Sequence, residues 1–159
     1  MLRVGSYVVT VAALLGGCST KGPAAGGGSG GGFPEKGFAM VADKVKKGED
    51  ILDHALLRKA HDAPLAAREQ MEKTGAKIRY GKDMTAEETA ALDAAAKSAG
   101  FSNAREFHKA YSALQDVKDA LSAMRKLDSG TASEFQKAMA AEFVKTVTES
   151  DLRFVAGLK

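Results

Sequence analysis

Apolar side chains recur at intervals of three and four through the second half of this chain, a rhythm that predicts helices. It is clearest from about Asn103 to Asp128. There Phe107, Ala110, Leu114, Val117, Leu121 and Met124 form one stripe, and Lys109, Gln115, Asp116, Lys118, Asp119 and Arg125 fall mostly off it. Ser102 or Asn103 can accept the free amide hydrogens at its start, and Ser129-Gly130 ends it with a residue able to take positive φ. Thr131-Ala132-Ser133-Glu134 has capping-box spacing and predicts a following helix with Phe135, Met139, Phe143 and Val147 on its inner face. A break is predicted near Thr148-Glu149-Ser150, ahead of Leu152, Val155 and Leu158. Thr85-Ala86-Glu87-Glu88 repeats the box before a helix that carries Leu92 and stops at Ala99-Gly100.

Earlier in the domain the rhythm is interrupted. Phe38, Val41, Val45, Leu52, Ala55 and Leu56 keep helical spacing, yet Lys46-Lys47-Gly48 resembles a helix end and Pro64 has no amide hydrogen to donate. These signals predict one helix before Gly48, one from about Glu49 to His61 and a short one from Pro64 to Thr74, with a kinked continuous helix as the rival. Gly75 to Asp83 is predicted to be a loop. Glu106 to Tyr111 also aligns with Glu134 to Met139 at an offset of 28 residues. Shared helix-entry chemistry accounts for that match as well as duplication does. No sustained apolar alternation occurs, so residues 33–159 are expected to form a single all-α bundle of four to six helices.

The N-terminal pattern is different. Met1 and Arg3 precede an apolar stretch from Val4 to Leu15, too short for a bilayer-spanning helix because glycines begin at position 16. The stretch closes on Leu15-Gly16-Gly17-Cys18, which contains the chain's only cysteine. This segment resembles the signal peptide of a bacterial lipoprotein, with leucine three positions before the cysteine and small residues between. The resemblance covers the first 18 residues only. It implies diacylglyceryl transfer to the Cys18 sulfur, cleavage between Gly17 and Cys18, and acylation of the new amine. Residues 1–17 are then a cleaved leader. Acyl chains contribute about 0.8 kcal/mol per buried methylene, and two or three of them give stable anchoring. Ser19 is not the aspartate that the same resemblance associates with inner-membrane retention, so the expected address is the periplasmic side of the outer membrane.

From Ser19 the chain runs through Pro23 into the glycine-rich stretch Gly26 to Gly32. With no apolar side chains to bury, residues 18–32 are expected to act as a flexible tether carrying the lipid, with a root-mean-square reach of roughly 20 Å. The run formally satisfies G-x-G-x-x-G and G-x-S-x-G, but neither has the preceding strand and following helix that such motifs need.

Charge and candidate chemistry narrow the function classes. Of the 23 Lys and Arg residues only Arg3 and Lys21 precede residue 33, which leaves 21 against 20 acidic residues in the domain. Only Lys44, Lys46 and Lys47 cluster, so no nucleic-acid face is indicated. His54 and His61 are seven residues apart, about 10.5 Å along a helix, too far for one metal ion. Asp50 and His54 have a ligating spacing but no visible third ligand, so the sequence offers no metal site and no cofactor. Carboxylates such as Glu87, Glu88, Glu134, Glu142 and Glu149 read as caps and helix-face charges, and no catalytic residue is assigned. Methionines at 40, 71, 84, 124 and 139 could line an adaptable apolar surface. The expectation is a non-enzymatic domain for contact with, or assembly of, an envelope protein partner. The alternative is a small-ligand carrier with a cavity between helices.

Overall fold

The computed structural model describes residues 32–159, so the leader, Cys18 and all but the end of the glycine tether lie outside the described residues. The described part is all-α, as the periodicity predicts. Its seven helices are α1 (Glu35–Ala39), α2 (His54–His61), α3 (Leu65–Arg79), α4 (Ala86–Ser98), α5 (Ala104–Asp128), α6 (Glu134–Val144) and α7 (Glu149–Ala156). No strand occurs among the described residues; Lys46 and Thr148 make one isolated parallel bridge. No described helix is long and apolar enough to cross a membrane.

The 25-residue α5 is the axle of the bundle, touching each of the other six helices. Its predicted stripe is the core: Phe107, Ala110, Leu114, Val117, Leu121 and Met124 are all buried. Asn103 caps it by accepting from the Glu106 amide, and Gly130 takes φ +73° beyond its end. Thr85 and Glu88 form the predicted reciprocal box at α4. At α6 the box shifts two residues: Ser133 and Gln136 make it, while Thr131 meets the Ser129 hydroxyl at 3.2 Å. Ser133 immediately precedes Glu134, whereas Asn103 lies three residues before Glu106. The two segments aligned in the sequence therefore sit at different helical positions and are not structural repeats.

Three segments differ from the sequence expectation. Before Gly48 only α1, five residues long, is helical, and the chain then runs in turns to Asp53, whose carboxylate caps α2 at the Ala55 amide. Pro64 does separate α2 from α3, but α3 continues through Gly75 to Arg79 and replaces the first part of the predicted loop. Gly75 is tolerated there because α3 packs closely on α5: a Cβ at that position would stand 3.3 Å from both His108 Cδ2 and Met71 Sδ. The third difference is the inner face of α6. Phe135, Met139 and Phe143 point outward, and Ala140, Val144 and the following Val147 are the buried residues. The two stripes lie roughly a third of a turn apart, and small side chains on one of them let α6 approach α5 closely.

Gly37 makes another close approach. A Cβ on it would fall 2.0 Å from the Met124 carbonyl oxygen, and its amide donates to Asp128 Oδ1 at 2.8 Å. Gly37→Ala is expected to push α1 off α5 and cost about 1–3 kcal/mol in urea denaturation. A change within about 0.3 kcal/mol would show that α1 is not seated there.

Candidate functional site

Two features of the domain have functional geometry. The first is on α6. Phe135, Met139 and Phe143 are 74%, 39% and 37% exposed and follow one another at intervals of four, forming an apolar ridge. Together with Ala123 of α5 they line a groove of about 350 Å³, with Asp119, Ser122, Lys126 and Gln136 as its polar rim. One acidic and one basic residue leave that rim without a dominant charge. Of the five candidate methionines, Met71 and Met124 are core, and only Met139 joins the ridge. Met40 lines a separate groove, beside Leu127 and Ala141.

The second feature joins the two ends of the domain. Thr148 caps α7 and Asp151 closes its capping box, so the Asp151 side chain is turned back toward the helix start. Asp151 is 0% exposed. Its Oδ2 accepts hydrogen bonds from the Thr148 amide at 3.0 Å, the Thr148 hydroxyl at 2.8 Å and the Ile51 amide at 3.0 Å. The Thr148 hydroxyl shares its proton with Asp50 Oδ1 at 2.7 Å, and Ser150 donates to Asp50 Oδ2 at 3.2 Å. His54 opens α2 one turn after Asp50, and its ring stacks on Phe154, with centroids 4.2 Å apart and planes 8° from parallel. His54 Nε2 thereby comes to 3.4 Å from both Asp50 Oδ2 and Asp151 Oδ1.

The sequence spacing of Asp50 and His54 holds, and Asp151, about a hundred residues away, is the third group it could not supply. The only local signal at Asp151 is its place three residues after a threonine cap. His61 is elsewhere, with Nε2 at 3.3 Å from the Lys159 carbonyl oxygen. His108 and the Tyr111–Glu72 pair border a groove of about 240 Å³ between α3 and α5. Tyr111 donates to Glu72 at 2.5 Å; burial first, and then that carboxylate, pushes its phenol up to about 12. Lys44, Lys46 and Lys47 are exposed in the turns after α1, and Lys46 Nζ donates to the Glu49 carbonyl.

Fold and surface together define a small all-α domain with a buried apolar core and, among the described residues, an exposed aromatic ridge on α6. No protein-family model matches the chain, and neither a curated protein nor a solved structure is significantly similar to it.

Proposed function

We propose that this protein is a lipoprotein anchored through Cys18 to the periplasmic side of the outer membrane. Its helical domain binds another envelope protein through the α6 ridge and catalyses no reaction. The observation that carries this reading is the ridge itself: two phenylalanines and a methionine stand outside a bundle whose core is already filled by other side chains. Fully burying a large apolar side chain gains about 1.5–3 kcal/mol, most of it still unrealised at Phe135 and a part of it at Met139 and Phe143, and a contiguous row of such groups marks a contact surface. Aromatic residues inside a polar rim are the usual energetic centre of a protein interface. The Cys18 anchor and the tether supply the location. The carrier alternative calls for an enclosed cavity, whereas the grooves described above open to solvent.

The test is recovery of partners from crosslinked envelopes by the lipidated protein and by its Phe135→Ser/Phe143→Ser variant. Phe135 is 74% and Phe143 37% exposed, so the variant should keep its fold at a modest cost in stability, which its circular dichroism spectrum and Tm check. It should lose the partner that the wild type retains, with an affinity drop of at least about 30-fold. Equal recovery by both proteins would sink the ridge as the contact. A bound small molecule in place of any reproducible protein partner would turn the reading to the carrier.

A further inference from the structure

We infer that Asp50, His54 and Asp151 form a binding site for a divalent first-row transition-metal ion, with zinc the best fit. Two independent observations meet here. One is the convergence of three ligand atoms, Asp50 Oδ2, His54 Nε2 and Asp151 Oδ1, all within 4.8 Å of one another. The other is that two of these atoms are buried without a hydrogen bond. Asp151 Oδ1 belongs to a side chain with no exposed surface and is unpaired although the other oxygen of the same carboxylate accepts three hydrogen bonds. His54 Nε2 faces the same space and is likewise unsatisfied.

A protonated His54 bridging the carboxylates is the competing account, and the geometry disfavours it. Charge-assisted N–H···O⁻ bonds close to about 2.7–2.9 Å, and a single Nε2 hydrogen shared between two oxygens would make a weaker bond to each. Here both separations are 3.4 Å and neither is a hydrogen bond. Ligands about 2.0–2.1 Å from a common tetrahedral centre stand about 3.3 Å apart along each edge. The two separations from His54 Nε2 have the length of such edges, and the third, between the carboxylate oxygens, lies within 4.8 Å, a spacing that a bound ion would draw in.

Charge points the same way. Among the described residues no Lys or Arg pairs with Asp50 or Asp151, so two carboxylates and a neutral imidazole balance a dication. The supporting contacts also suit a metal site. Hydrogen bonds from Thr148, Ile51 and Ser150 hold the carboxylates, and Phe154 fixes the imidazole plane. One imidazole among oxygen donors selects zinc and its neighbours over calcium or magnesium. Asp50 is partly exposed and gives the ion a path from solvent. Three protein ligands leave a fourth position for water. The bound ion would tie the turn before α2 to α7.

The full-length, detergent-solubilised protein, stripped with chelator, is titrated with Zn²⁺ by calorimetry and followed by thermal unfolding. One equivalent should bind, and zinc at about 100-fold above its Kd should raise Tm by roughly 8–10 °C. Calcium at the same concentration should leave Tm unchanged. Co²⁺ should give a visible absorption band that reports the nitrogen and oxygen donors. Asp50→Asn and His54→Asn, both at partly exposed side chains, should weaken binding at least about 100-fold and abolish the Co²⁺ band, while His61→Asn should retain both. Asp151→Asn tests the third ligand where the variant folds; the other two decide the matter where it does not. Absence of stoichiometric zinc binding, undiminished binding in Asp50→Asn and His54→Asn, or an equal response to calcium would each overturn the assignment.

Discussion

Cys18→Ser is expected to abolish fatty-acid labelling of the protein and leave its seventeen-residue leader attached. Diacylglyceryl transfer forms a thioether, and a thiolate is accessible near neutral pH because a free cysteine titrates at about 8.5, whereas a serine hydroxyl does not ionise there. If the resemblance of Leu15-Gly16-Gly17-Cys18 to a lipobox reflects real processing, everything downstream depends on that sulfur. Under the proposed lipidation, the variant should keep its first seventeen residues and no longer fractionate with the outer membrane. The wild type should show the mass of a chain beginning at Cys18 plus its acyl groups, and the variant neither feature. Intact mass spectrometry of both proteins from the native cell decides it. An unmodified Cys18 thiol in the wild type, or fatty-acid label persisting in the variant, would remove the anchor and the location inferred from it.

Phe107→Ala is expected to have the largest effect on the fold. Its ring has no exposed surface and sits at the corner where α4 turns into α5, stacked on Phe101 at 5.0 Å and edge-on to Tyr111 at 6.0 Å. Truncation removes the transfer free energy of the ring and leaves a void the rigid α5 backbone cannot close, for a cost of about 3–5 kcal/mol. For a domain of this size that lowers Tm by roughly 10–20 °C. Urea denaturation with an unchanged m-value should report it. A loss below about 1 kcal/mol would mean that the aromatic cluster is not the packed centre it forms here.

The sequence made α5 legible because its apolar stripe is unbroken over about five turns and both ends carry their own stop chemistry. The threonine cap of α4 was equally visible, since a capping box is satisfied within four residues. The extent of α3 was hidden: Gly75 reads as a terminator locally, and only the tertiary packing shows that the helix needs a residue without a side chain there, since a Cβ would stand 3.3 Å from His108 and Met71. The orientation of α6 was hidden because the helix has two apolar stripes. Residue size favours the one with the phenylalanines, yet close packing on α5 selects the one with Ala140 and Val144. At the cluster near α2, Asp50 and His54 could be paired from their spacing. Asp151 could not, because nothing within a turn of it shows that a carboxylate engaged in capping would turn its second oxygen toward a segment about a hundred residues away.

Arg153 of α7 holds Glu35 through two hydrogen bonds, the closer at 3.0 Å, and lies 4.1 Å from the centre of the Phe33 ring. The Lys46 amide likewise reaches the Val144 and Val147 carbonyls. The first and last portions of the domain are therefore sewn to each other. For a polypeptide threaded through a translocation pore amino end first, α1 can settle on α5 once that helix has emerged, but its ties to Arg153 wait for the final turn. The nascent chain must spend that interval incomplete, within reach of proteases and chaperones.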